Sequence, residues 1–190
     1  HQADKFQVPR ICFINKLDRM GASFVNSLAS IRERLNPNAV PVQLNIGLES
    51  NFEGVIDLLR MKAFTFSGDK GEIINEIPIP QNLLPEAEKY RHELLEKIVE
   101  TDDALTNRYL EGEEISVEEL RKALRKATIE SKIVPVFCGS ALRNKGVQFL
   151  LDGVVDYLPS PADLPPVKGF DPKTGSEIMR HASDNEPFTA

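Results

Sequence analysis

Two continuous apolar runs constrain this chain most. Ile11-Cys12-Phe13-Ile14 and Ile133-Val134-Pro135-Val136-Phe137-Cys138 show no polar alternation. A strand written this way is buried on both faces, which is the environment of a parallel sheet covered by helices. Pro9 stands just before the first run, where its missing N–H is tolerated. Helical periodicity follows each run. Ser23 is placed to cap a helix carrying Val25, Leu28, Ile31 and Leu35, and Asn36-Pro37 ends it. Gly146 introduces a second helix, with Val147, Leu150, Leu151, Val154, Val155 and Leu158 on its expected buried stripe. Strands followed by helices on both sides imply parallel pairing at the two flanks.

The middle of the chain follows another pattern. Val40, Val42, Leu44 and Ile46 alternate with period 2 and predict a half-buried strand. Gly54–Leu59 and Met61–Phe66 are strand-like, with Met61 and Phe64 as core residues. Ser67–Gly71 is a turn cluster, and Ile73, Ile74 and Ile77 form the returning hairpin strand. From Pro85 the period becomes helical through Ala87, Tyr90, Leu94 and Ile98. A short helix follows through Ala104, Leu105, Tyr109 and Leu110. Ser116 and Glu119 then have capping-box spacing ahead of Leu120, Leu124 and Ala127. The expected architecture is α/β: a partial parallel sheet with helices, interrupted by an inserted α+β subdomain of hairpin plus helices. The expected divisions are 1–46 and 133–160 for the interrupted domain, 47–132 for the insertion, and 161–190 for a linker and the start of another domain. Pro159, Pro161, Pro165 and Pro166 stiffen that linker, and 171–186 is polar enough to predict a loop. His1–Phe6 reads as the end of a helix and 186–190 as the start of a strand, so the chain is expected to be a piece of a longer protein.

Composition excludes several classes. The chain has 190 residues and a formal net charge of −6. No apolar run approaches the roughly 20 residues of a membrane span, and no signal-peptide pattern opens the chain. Cys12 and Cys138 are too far apart to suggest a disulfide framework, and both fit as small core residues. His1, His92 and His181 have no metal-ligand spacing. An acidic chain is not built to wrap nucleic acid. The charge is uneven, however: residues 86–130 carry a net −5 and residues 1–35 a net +3. An acidic helical face is ordinarily a solvated one.

The chemistry lies just after the two apolar runs, where open α/β sheets place their ligands. Asn15-Lys16-Leu17-Asp18 brings an amide, a cation and a carboxylate into one loop. Taken alone, it is an ordinary strand-to-helix loop with Asp18 as a cap. It also suits purine recognition. Asp18 can accept two parallel N–H bonds from guanine N1 and N2, a donor pair that adenine lacks. Asn15 can bond the base edge and tie neighbouring loops together, and the Lys16 stem can cover a ring face. Gly139-Ser140-Ala141-Leu142 follows the second run at the equivalent point. There the Ala141 N–H can meet guanine O6 and the Ser140 hydroxyl can steady Asp18. Asp18-Arg19-Met20-Gly21 also fits a bare D-x-x-G, but it overlaps the base loop and carries no separate weight.

These two loops resemble the fourth and fifth guanine-recognition motifs of the translational GTPases. The runs NKLDRMGA (15–22), NFEGVIDLLRMKA (51–63), YLEGEE (109–114) and PVFCGSALRNKGVQFLLDGVVDYLPSP (135–161) resemble the elongation factor G family, bacterial or organellar. The resemblance implies a P-loop GTPase-type domain with a G′ insertion at 47–132, followed from Phe188 by the first strand of a β-barrel. It implies GTP or GDP as ligand, with Asn15, Lys16, Asp18, Ser140, Ala141 and Leu142 reading the guanine. It also implies a cytoplasmic or organellar-matrix protein that docks on the ribosome and acts on tRNA and mRNA through the rest of the parent protein. Since the G′ insertion of this family is associated with the ribosomal stalk protein, Glu88, Glu93, Glu96, Glu100, Glu118 and Glu119 become candidate stalk contacts. The phosphate loop G-x-x-x-x-G-K-[ST] and the family's Mg²⁺ and catalytic positions have no counterpart in these residues, so this piece alone is expected not to hydrolyse GTP. Two other expectations stay open. One is a non-catalytic protein-interaction module. The other is a related translational GTPase, of the peptide release factor three or ribosome-protection type, against which the long insertion argues.

Overall fold

The structure is a computed structural model that describes residues 2–163, 166–171, 173–183 and 185–186. It divides into one large unit, residues 1–158, and a small one, residues 159–190.

The larger unit begins with a short helix, α1 (Gln2–Lys5), followed by β1 (Cys12–Ile14). β1 and β2 (Ala39–Pro41) flank β7 (Val134–Cys138), both in parallel. All five residues of β7 are buried, as its unbroken apolar run requires. Pro135 occupies this central strand without breaking it. The Val134 N–H donates to Asn38 O on the β2 side, so the next residue faces β1. There the ladder starts only at Cys12, opposite Val136, so the N–H that proline lacks falls beyond the paired stretch.

The segment 39–46 departs from its expected form. It is two strands in two sheets. β2 belongs to the parallel sheet, while β3 (Gln43–Ile46) starts an antiparallel meander with β4 (Gly54–Asp57), β5 (Lys62–Ser67) and β6 (Ile73–Ile77). Val42 joins them: its N–H donates to Val136 O in one sheet, and its carbonyl accepts the Leu58 N–H at the end of β4. The segment is also buried almost throughout, because α2 (Phe24–Arg34) and α3 (Leu84–Val99) pack over β2. Even Gln43 is enclosed, with its Oε1 accepting the Cys138 N–H at 3.3 Å.

Two helices sit rotated from their expected stripes. α2 is capped by Ser23, whose Oγ accepts the Asn26 N–H at 3.2 Å. It buries Phe24 and Leu28 and leaves Val25 and Leu35 in solvent, because Phe24 packs edge-to-face on Tyr90 of α3. α6 (Val147–Tyr157) buries Gly153 and Tyr157, while Leu151 and Val155 are 61% and 76% exposed. Glycine decides this orientation. A Cβ at position 153 would lie 2.2 Å from the Phe137 ring, so only a glycine face lets α6 approach β7 so closely.

The remaining helices are α4 (Asp103–Leu110) and α5 (Val117–Ile129). Ser116 and Glu119 form the reciprocal capping box at the start of α5. α5 packs between α3 and α6, burying Leu120, Leu124 and Ala127. Arg125 on α5 donates to the carbonyls of Val155, Asp156 and Leu158, which closes the C-terminal end of α6. Met61 is half-buried against the core and Phe64 is buried, as expected.

In the smaller unit, β8 (Val167–Phe170) and β9 (Glu177–Arg180) pair antiparallel. The polar stretch 171–186 is therefore not all loop. Asp171 turns the chain by accepting the Lys173 and Thr174 N–H groups, and Lys168 pairs with Glu177 across the strands. The strand expected from Phe188 lies outside the described residues.

Candidate functional site

β1 and β7 run parallel and side by side, so their carboxyl ends deliver two loops to one place. Backbone bonds join those loops directly. Gly139 N–H donates to Ile14 O at 3.0 Å, and Leu17 N–H donates to Gly139 O at 3.2 Å. Leu17 is 1% exposed and anchors the first loop in the core while its neighbours stay outside.

Asn15 makes the side-chain link. Its Oδ1 accepts the Lys16 N–H at 2.7 Å and the Ala141 N–H at 2.9 Å, across 126 positions of sequence. Lys16 holds a left-handed φ of 65° and is exposed. The Ala141 N–H expected to face a base oxygen thus has an acceptor within the protein. A ligand oxygen placed there would share or replace Asn15.

Asp18 lies at the centre, with its side chain 16% exposed. A hydrogen bond from the wholly buried Ser140 is the main cause that holds its carboxyl below the ordinary aspartate range, with Arg143 adding charge. The Arg143 Nε stands 3.7 Å from Asp18 Oδ2. The acceptor is therefore ionised at neutral pH and fixed from one side, leaving capacity for donors from a ligand.

The second loop is stiff. Ser140 and Lys145 exchange backbone bonds of 2.9 and 3.0 Å, and the Arg143 N–H bonds Ser140 Oγ at 3.3 Å. Gly139 is required there, since a Cβ would meet Lys145 O at 2.3 Å. Leu142 projects outward, 83% exposed. Asn15, Lys16, Asp18, Ser140, Ala141 and Leu142 therefore gather at one end of the parallel sheet. Asp18, Ala141 and Leu142 line an open groove of about 760 Å³, together with Glu49, Lys70 and Lys145, while Asn15, Lys16 and Ser140 are not part of its lining. A second groove, of about 570 Å³ beside Phe24, Pro80 and Glu86, contains none of these loop residues.

Sequence reasoning missed the supports of this site. Glu49 Oε1 accepts the Gly21 N–H at 2.7 Å, Lys145 Nζ donates to Phe52 O at 3.0 Å, and Gln148 donates to Gly71 O at 3.1 Å. The first two tie the loops to the turn between β3 and β4, and the third ties the start of α6 to the turn between β5 and β6. No local motif announces them.

The acidic candidates are spread over α3 and α5. Glu93 pairs with Arg32 of α2. Glu119 bonds Arg108 at 2.6 Å and Ser116, and those bonds hold its carboxyl down to about 2. Glu96 faces His92 at 3.2 Å, Glu100 faces Lys97 at 2.9 Å, Glu118 faces Lys122 at 3.8 Å, and Glu88 is exposed. His92 is tied in as well, with Nδ1 3.1 Å from the Tyr109 hydroxyl. Cys12 and Cys138 are free thiols on adjacent strands, and burial pushes both upward in pKa. No group of metal-ligating side chains occurs among the described residues, and no helix among them is long and apolar enough to cross a membrane.

Residues 1–160 match the family model described as the elongation factor Tu GTP binding domain. The chain belongs to that family. It is 53% identical over 189 residues to elongation factor G of Thermotoga maritima, covering all of this chain and 27% of that protein. A crystal structure from Thermus thermophilus superposes with a TM-score of 0.76 at 31% identity, covering 93% of this chain and 27% of its own. The chain thus spans about a quarter of the length of the relatives it matches. The α/β architecture, with its partial parallel sheet, is that of a partial GTPase domain of the elongation factor G type.

Proposed function

We infer that this chain is the guanine-reading part of a ribosome-dependent translational GTPase of the elongation factor G type. The observation that carries this reading is the convergence of Asp18 and Ser140. Here a buried hydroxyl bonds a partly exposed carboxylate and lowers its pKa, beside a second loop at the carboxyl ends of two parallel strands. Asp18 accepts guanine N1–H and N2–H, the Lys16 stem covers the ring, and the Ala141 N–H meets O6. Asn15 and Ser140 hold the loops, and Leu142 borders the ring. The divisions 1–46, 47–132, 133–160 and 161–190 then correspond to the two parts of the GTPase domain, the G′ insertion and the approach to the next domain. The phosphates, Mg²⁺ and hydrolysis fall to residues of the parent protein outside this chain. The parent works in the cytoplasm or an organellar matrix, moving tRNA and mRNA on the ribosome.

The test is Asp18→Asn in the full-length protein. Xanthine replaces the N2 donor of guanine with an oxygen, which suits an amide donor better than a carboxylate. Losing a bond to a charged group weakens GTP binding by about 10- to 100-fold, and XTP becomes the preferred ligand. A variant that still preferred GTP would end this assignment. For the stalk contact, Glu88, Glu96, Glu100 and Glu118 are the positions to reverse in charge. Glu93 and Glu119 are also ion-paired to Arg32 and Arg108, which confounds their reversal with folding. Reversal should lower stalk-dependent GTPase stimulation, more so at low salt.

A further inference from the structure

One short turn reaches both loops of the candidate site. Glu49 opens the 3-10 turn Glu49–Asn51, between β3 and β4. Its backbone N–H donates to Leu17 O at 2.7 Å. Its carboxylate Oε1 accepts the Gly21 N–H at 2.7 Å. These bonds fall on either side of Asp18, one residue before it and three after. From the residue just past the turn, Phe52 O accepts Lys145 Nζ at 3.0 Å, and Lys145 closes the backbone bridge to Ser140. The turn therefore holds the carboxylate loop directly and reaches the hydroxyl loop that steadies it.

Glu49 also sits at φ 55°, in the left-handed region where glycine would be unstrained. Strain kept at a non-glycine residue points to a use for its side chain. Here the side chain makes a charge-assisted bond to a backbone N–H that is 28 positions away.

We propose that Glu49 is a positioning residue for base recognition: by clamping Leu17 and Gly21 it fixes the direction in which Asp18 presents its two oxygens. The proposal rests on the guanine reading of Asp18. A carboxylate must be aligned to accept two parallel N–H bonds, whereas one bond tolerates a tilt. Loosening the clamp therefore removes the second bond first. Inosine nucleotides, which lack the 2-amino group, never make that bond and serve as the internal control.

The experiment measures GDP and IDP affinities of the full-length protein and its Glu49→Gly, Glu49→Gln and Asp18→Asn variants. Glu49→Gly removes the carboxylate while leaving a residue at ease at this φ, so its melting temperature stays near that of the parent. GDP binding weakens about tenfold and IDP binding less than about twofold, so the GDP/IDP ratio collapses. Glu49→Gln keeps an oxygen acceptor and restores the ratio to within about twofold. Equal weakening toward both nucleotides, an unchanged ratio, or failure of Glu49→Gln to rescue would each overturn the proposal. Should Glu49→Gly melt early, Glu49→Asp, whose carboxylate falls one methylene short, carries the same comparison. Asp18→Asn separates the two levels. If it leaves the GDP/IDP ratio intact, the role of Asp18 has failed. If it abolishes the ratio while Glu49→Gly does not, only the clamp has failed.

Discussion

The paired loops and the solvent-facing ion pairs along α3 and α5 hold their polar residues by different means. Around 15–21 and 139–145, bonds run across long sequence separations: Asn15 to Ala141, Glu49 to Gly21, Lys145 to Phe52. On α3 and α5, Glu100 pairs with Lys97 and Glu118 with Lys122, one helical turn away in solvent. The first kind forms only when the whole fold is in place, and it fixes the direction of each group. The second kind forms on any helix and fixes little. A site that must aim a carboxylate belongs to the first kind, and a surface that steers by charge can be built from the second.

The comparison breaks most sharply at Gly139. Gly139→Ala drives a Cβ to within 2.3 Å of Lys145 O and forces the second loop to move. Overpacking of this kind costs about 1–3 kcal/mol, so GDP affinity of the full-length protein should drop by about 10- to 100-fold in calorimetric titration. An unchanged affinity would mean that the loop needs none of this rigidity.

Ser140→Ala sharpens it next. Removing the hydroxyl takes away the largest cause that lowers the Asp18 pKa. Because that pKa is depressed in the folded protein, the ionised acceptor is complete above the ordinary aspartate range and lost as pH falls through the folded value. The variant should bind GDP about tenfold more weakly at neutral pH. Its remaining affinity should decline at a higher pH than that of the parent on acid titration.

Ser116→Ala tests the helical region. It removes half of the capping box and should lower stability by about 1 kcal/mol in urea unfolding, with GDP affinity unchanged. The same box gives α5 an acid limit. The Glu119 carboxyl is lowered from 4.5 to about 2. The stability it contributes is full above the first value and is lost as pH falls toward the second. Lys97→Ala is the smallest change, within about 0.5 kcal/mol, since its partner Glu100 is in solvent.

Much of this contrast is legible in the sequence. Unbroken apolar runs mark β1 and β7, and Ser116 with Glu119 marks the start of α5, because those signals are local in the chain. The loops at 15–18 and 139–142 can be paired because each follows a buried strand. Glu49 cannot be found this way, since its bond to Gly21 depends on where β3 and β4 lie. The buried stripes of α2 and α6 differ from expectation for a related reason. Apolar side chains mark a helix as amphipathic, but Phe24 and the absent side chain of Gly153 decide which face goes inward. The period-2 pattern of 39–46 specifies strand and carries no sign that the chain changes sheets at Val42.

That change of sheet has a kinetic consequence. Val42 gives its N–H to β7 and its carbonyl to Leu58, and no loop separates the two attachments. A hinge between the sheets has only the φ and ψ of Val42 to turn on, and Val42 is buried. The amides of Val42 and Leu58 should therefore exchange with deuterium on a common slow clock, set by opening of the larger unit as a whole. Load applied to the meander through its β5–β6 hairpin would then travel along a single extended run of backbone into the sheet that carries Asp18.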